Sequence, residues 1–196
     1  MAENSKIKIL IHCCCGPCSI YPFSVLLEQN FEIFAVYFNP NVHPLKEYLK
    51  RRESFIQVCN YFNVRYLCMD KDYDPQKYFR TINFRENNRC FYCYQIRLEK
   101  TFYMARRGKF DYFTTTLLYS KLQKHDTIKT LAQDIVHGSK VNFFYADFRK
   151  GWKFGQEKSN ALGIYKQNYC GCLYSELERF KKELEQHSDK TVSLSR

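Results

Sequence analysis

The chain has 196 residues, of which 45% are hydrophobic and 26% charged, enough for one domain with a full core and typical of a soluble globular protein. No run approaches the roughly 18 apolar residues of a membrane span, and Met1 to Lys6 lacks the apolar core of a signal peptide, so a cytoplasmic location is expected. A formal charge of +11 points toward an anionic partner, nucleic acid among the candidates.

Lys6 to His12 is a short apolar run that reads as a buried strand. Pro17 then opens a helix through Leu27, because proline suits the first helical turn. Phe31 to Asn39 reads as a second strand, Pro44 to Phe62 as a second helix and Val64 to Met69 as a third strand. A polar, irregular stretch from Thr81 to Arg89 leads into a helix near Cys93 to Arg107, and Asp111 to Leu117 is a fourth strand rich in β-formers. Between Asp126 and His137 the apolar residues Ile128, Leu131, Ala132, Ile135 and Val136 recur at helical spacing, with Gly138 as the stop. Val141 to Asp147 is a fifth strand, followed by a short helix and by Tyr165 to Leu173. A last helix carries Leu177, Phe180 and Leu184. The chain thus reads as one catalytic domain over 1–187 with a disordered tail over 188–196.

Strands alternating with helices imply right-handed crossovers and a mainly parallel, five-stranded, Rossmann-like sheet of the nucleotide-alpha-hydrolase-like kind, covered by helices on both faces. Function in such sheets gathers at the carboxyl ends of the strands. The segment after the first strand, H-C-C-C-G-P-C, lies there.

Ten cysteines in a chain without an export signal point to metal or redox chemistry rather than a disulfide framework. Cys59 and Cys68 fall on apolar patterns and read as core. The others form three groups in expected loops: Cys13, Cys14, Cys15 and Cys18; Cys90 and Cys93; Cys170 and Cys172. A helix start after Cys15 favours thiolates, the form that metals and redox reactions require. Zinc knuckles normally sit close together in sequence, whereas iron–sulfur clusters accept four cysteines scattered along the chain. Cys15-Gly16-Pro17-Cys18 is also the C-G-P-C of a thioredoxin-like dithiol oxidoreductase, which would leave the other groups unexplained. A tRNA sulfurtransferase of related fold needs a Gly/Ser-rich ATP loop where H-C-C-C-G-P-C stands.

Together, H-C-C-C-G-P-C, R-C-F-Y-C-Y-Q-I-R-L from Arg89 to Leu98 and Y-K-Q-N-Y-C-G-C-L-Y-S from Tyr165 to Ser175 resemble the epoxyqueuosine reductases of the QueH type. Y-F-N-P-N-V-H-P, D-Y-F-T-T-T-L-L and D-F-R-K-G match as well, so the resemblance spans roughly Ile7 to Ser175. It implies reductive removal of the epoxide oxygen of epoxyqueuosine at the tRNA wobble position, and a [4Fe-4S] cluster on Cys14, Cys15, Cys90 and Cys93. Cys170 and Cys172 would be redox-active, as a disulfide or as ligands of a second, mononuclear iron shared with Cys18. Cys13 departs from the common pattern. An electron donor such as a ferredoxin or flavodoxin is implied, and no membrane.

The reaction removes one oxygen with two electrons and two protons, so it needs a redox centre and a proton donor. His12, Asp147 and Tyr169 are candidate donors by their nearness to the motifs. For RNA, the aromatics and cations to consider are Phe91 and Tyr92 between two cysteines, with Arg51, Arg52, Arg97 and Arg149. Lys121, Lys124, Lys153, Lys166 and Arg89 add to the basic character near the motifs.

Overall fold

In the computed structural model, which describes residues 6–192, strands β1 (Lys8–His12), β2 (Glu32–Tyr37), β3 (Arg65–Cys68), β4 (Tyr112–Thr115) and β5 (Asn142–Phe143) form one sheet. Their order is β3-β2-β1-β4-β5 and every neighbouring pair is parallel. Along β1, Ile9 and Ile11 enter one core with Phe23, Ile33, Ala35 and Phe55, while Leu10 enters the other with Val36, Leu98 and Phe113. A parallel strand is buried on both faces, which accounts for the unbroken apolar run in its sequence.

One face of the sheet carries α1 (Gly16–Glu28) and α2 (Leu45–Tyr61), with α6 (Trp152–Ala161) packed on α1. The other carries α3 (Pro75–Ile82), α4 (Arg89–Arg107) and α5 (His125–Val136). A Cβ on Gly16 would lie 2.3 Å from the carbonyl oxygen of Ser54, so glycine is what lets the start of α1 approach α2. The chain runs outward from β1 to β3 and then crosses to β4, placing the switch in strand order between β1 and β4. Cys13 to Cys15 leave the sheet at that switch, beside the 3-10 turn Thr116–Tyr119 that follows β4.

Three elements differ from the sequence reading. Helix α3 precedes and enters the stretch expected to be irregular. Asp74 caps it by accepting from Lys77 N at 2.9 Å, and Pro75 stands in its first turn. Strand β5 covers two residues instead of the expected seven. β4 turns away after Thr115, and the carbonyl of Phe144 accepts from the Thr114 hydroxyl at 2.7 Å instead of a backbone partner. The last helix, α7 (Leu173–Val192), carries Leu177, Phe180 and Leu184 as expected, already includes Leu173, and continues past the expected domain end at 187. Residues 193–196 of the expected tail lie outside the described residues.

Candidate metal centre

At the end of β1 the backbone of Cys13 still bonds the sheet, donating to Val36 O at 2.8 Å, and its thiol points to Ile11 O in the core that also holds Cys59, apart from the core of Cys14, Cys15 and Cys18. Cys14 N donates to Thr116 Oγ1 at 3.0 Å, Cys15 is extended at the N-cap of α1, and the helix begins at Gly16. This turn brings together two sulfurs that an extended strand would point apart: Cys14 and Cys15 Sγ are 3.8 Å from each other. Cys18, one turn into the helix, completes a buried triad whose sulfurs all lie within 4.8 Å of one another. Hydrogen bonds from Cys15 and Cys18 hold the Cys14 thiol well below its usual range, while burial pushes Cys15 up. Donation to Cys14 pushes Cys18 up as well. The three thiols are thus linked through their hydrogen bonds and titrate as one unit.

Cys90 and Cys93 lie in the first two turns of α4 rather than in a loop. Cys170 and Cys172 flank Gly171, whose φ of 141° lies in the region that favours glycine. Arg51 holds this loop, with Nη1 donating to Cys170 O at 2.7 Å and Nη2 to Tyr169 O at 3.0 Å. His43 N donates to Gly171 O at 2.7 Å, and the Tyr169 hydroxyl donates to the carbonyl of His43. Cys90, Cys93, Cys170 and Cys172 line one cavity of about 370 Å³ together with Tyr78 and Arg97. Cys14, Cys18 and Cys170 line another of about 380 Å³, and Arg97 borders both. The three cysteine groups thus converge at the carboxyl ends of β1 and β4, as two adjoining sets of thiols.

The donor set suits a metal. It is rich in sulfur, and amide N–H groups are aimed at the sulfurs. Asn41 Nδ2 lies 2.9 Å from Cys93 Sγ, Gln167 Nε2 3.0 Å from Cys15 Sγ, and Gln123 Nε2 3.2 Å from Cys170 Sγ. None of these amides was singled out in sequence. Asn41 and Gln167 stand inside the matching motifs Y-F-N-P-N-V-H-P and Y-K-Q-N-Y-C-G-C, the one signal that pointed to them.

Several candidates take other roles. His12 is sealed in the core, with Nδ1 2.9 Å from Thr115 Oγ1 and Nε2 3.1 Å from Phe38 O. Burial lowers its pKa to about 4, so it stays neutral near pH 7 and lacks the imidazolium proton that a general acid would deliver. Asp147 caps the 3-10 turn Phe148–Gly151 and is gripped by Arg149 Nε and Nη2 at 2.7 and 2.6 Å. These bonds hold its carboxyl at about 2, which makes it no acid near neutral pH, and they occupy Arg149. Arg51 is no RNA-facing cation: it is buried against Glu47 at 2.7 Å. Arg97 is buried too, and Arg52 is paired with Asp70 at 2.8 Å. Phe91 is exposed and packs edge-on against Tyr92, which lines a separate cleft of about 570 Å³ with Phe38, Pro40 and Tyr78. Cys59 is buried in the core as expected, and Cys68 is partly buried against it.

A family model described as epoxyqueuosine reductase QueH matches residues 9–178, a span that includes all three cysteine groups. The epoxyqueuosine reductase QueH of Thermotoga maritima is 37% identical over 185 residues, covering 90% of this chain and 94% of its own. That of Dehalococcoides mccartyi is 34% identical over 175 residues, covering 89% and 96%. Among solved structures, the U34-tRNA thiolase NcsA from Methanococcus maripaludis with its [4Fe-4S] cluster superposes with a TM-score of 0.62. At 17% identity over 95% of this chain and 67% of that one, the likeness concerns the fold alone. Neither the dithiol nor the sulfurtransferase reading is favoured beside these relatives: the chain belongs to the QueH family of epoxyqueuosine reductases.

Proposed function

We propose that this chain reduces epoxyqueuosine at the wobble position of tRNA to queuosine in the cytoplasm, with an iron–sulfur centre held where its cysteine groups converge. The observation that carries this reading is the adjoining pair of thiol-lined cavities at the switch in strand order. Following the resemblance, Cys14, Cys15, Cys90 and Cys93 hold a [4Fe-4S] cluster, leaving Cys18, Cys170 and Cys172 for a second iron or for a redox pair. The close triad of Cys14, Cys15 and Cys18 favours a second division of the same thiols, with one metal ion on the triad and the other four cysteines around the neighbouring cavity. A cluster supplies electrons singly at low potential, two of which the reaction consumes, drawn from a donor such as a ferredoxin or flavodoxin.

The chain itself must bind the nucleotide and deliver a proton to the departing oxygen, which leaves as water after two protons are added. Tyr78 is suited to the second task. Its hydroxyl is buried, has no hydrogen-bond partner among the described residues, and belongs to a side chain that borders both the cysteine cavity and the cleft of Tyr92. Burial raises its pKa, so it remains a donor at neutral pH. For the tRNA, Lys121 and Lys166 line the cavity of Cys14 and Cys18 together with Trp152, and Lys121 Nζ stands 4.8 Å from the Trp152 ring centroid. A cation and a half-exposed indole at the mouth suit a phosphate and an unstacked base. Among the described residues no helix is long and apolar enough to cross a membrane. Anaerobic purification, iron and sulfide analysis and assay on epoxyqueuosine-tRNA test the reading; protein that binds no iron and leaves the epoxide intact would overturn it.

A further inference from the structure

Arg97 lies one helical turn after Cys93 on α4 and is 3% exposed. Its Nε and Nη2 both donate to Asn41 Oδ1, at 3.0 and 2.8 Å, and Asn41 Nδ2 lies 2.9 Å from Cys93 Sγ. Guanidinium groups only donate, so this fork fixes the oxygen of the amide on Arg97 and forces its N–H₂ onto the sulfur. Asn41, 2% exposed, has no freedom to turn over.

The charge is the second anomaly. The other deeply buried arginine, Arg51, has Glu47 as its counterion, but no carboxylate pairs with Arg97 among the described residues. Burying a guanidinium without an anion is costly. The groups whose negative charge acts on Arg97 are Cys93, Cys14 and Cys170, and its side chain borders both thiol-lined cavities. Among the described residues, the negative groups that act most on this buried cation are therefore sulfurs.

We propose that Arg97, acting through Asn41, is a positioning residue that orients Cys93 toward the metal centre and raises the centre's reduction potential. The inference rests on the iron–sulfur reading above. Adding one electron makes the centre more negative by one charge. A buried cation and an N–H donor on a ligand sulfur both stabilise that reduced form relative to the oxidised one. Arg97→Gln removes the charge, Arg97→Lys keeps the charge but loses the fork that aligns the amide, and Asn41→Ala keeps the charge but removes both the donor to sulfur and the acceptor that holds Arg97.

The test is an anaerobic redox titration of the reconstituted protein, followed by electron paramagnetic resonance, with iron and sulfide measured on the same samples. Arg97→Gln should retain its metal and titrate at a more negative midpoint than wild type, with Arg97→Lys and Asn41→Ala shifted less in the same direction. A metal-loaded Arg97→Gln protein with an unchanged or more positive midpoint would overturn the relay while leaving the iron–sulfur reading intact. If Arg97→Gln does not fold, Asn41→Ala decides: a negative shift supports the relay and an unmoved midpoint overturns it. Wild-type protein that takes up no iron and sulfide would overturn both readings together.

Discussion

The guanidinium of Arg51 donates to the carbonyl of Cys170 at 2.7 Å, tying the second turn of α2 to a loop 119 residues further on. The same side chain reaches Tyr169 O and Glu47 and lies face-on to the Tyr169 ring, 5.3 Å from its centroid. This buried cation thus holds the Cys170–Cys172 loop at two carbonyls, beside the bond from His43 N to Gly171 O. Arg51→Ala should cost about 3–5 kcal/mol, the range for breaking a buried pair. Arg52→Ala, which loses a half-exposed pair with Asp70, should cost at most about 1 kcal/mol. Urea unfolding of the two variants checks the contrast, and equal losses would mean that Arg51 does not hold the loop.

Removing single thiols separates the two divisions of the cysteines. If Cys14, Cys15, Cys90 and Cys93 form the cluster, serine at Cys90 or Cys93 should lose iron and visible absorbance together. Serine at Cys172 should then keep much of the cluster and abolish turnover. Cluster loss in Cys170 and Cys172 variants equal to that at Cys90 would favour the four thiols around the 370 Å³ cavity instead.

Tyr78→Phe removes one oxygen and keeps the ring, which sits 5.7 Å from His43 and 5.9 Å from Phe79 between ring centroids. The fold and metal content should stay as in wild type. A general acid typically contributes 10²–10⁴-fold, so kcat should fall by roughly 100-fold or more with little change in KM. Single-turnover assays measure this, and wild-type turnover in the variant would remove Tyr78 from the reaction.

Affinity for tRNA should fall steeply with added salt, because neutralised phosphates release their counterions. Charge reversal at Lys121 and Lys166, not at the internally paired Arg51 and Arg52, should weaken binding and flatten the slope of log K against log salt. On a single-stranded loop the slope should change by about 0.7 for each phosphate that the variant no longer neutralises. Fluorescence titrations at several salt concentrations provide the measurement. An unaltered slope would place the RNA elsewhere.

Stability should decline as pH falls from about 6.5 to about 4. Burial holds both His12 and His43 at about 4 in the folded protein, so over this window the unfolded chain binds protons that the folded chain does not. Stability then rises with pH, and the contribution is complete above the unfolded value. His43 stacks on Phe79 with ring centroids 4.7 Å apart, and neither ring nitrogen has a hydrogen-bond partner among the described residues. His43→Phe should therefore reduce the pH slope without losing a hydrogen bond. Denaturation midpoints at pH 4.5 and 7 test this, and a slope identical to wild type would show that His43 is not buried in its neutral form.

By itself, the sequence determined the alternation of strands and helices, the parallel sheet and the three cysteine groups. Each of these is written locally, in apolar runs, in helical spacing and in the clustering of one residue type. The cap Asp74-Pro75 was equally local, although α3 was read only from the structure. Tertiary structure alone decided which sulfurs adjoin, because that depends on crossovers that bring Cys14, Cys93 and Cys170 to one end of the sheet. It also decided the fate of the arginines. In sequence Arg51 and Arg52 read alike as cations for RNA, yet one helical face turns Arg51 inward onto Glu47 and the Cys170 loop while Arg52 stays at the surface. Charge on a side chain is a local property, but its counterion comes from whatever the fold places opposite, and for Arg97 the fold places sulfur there.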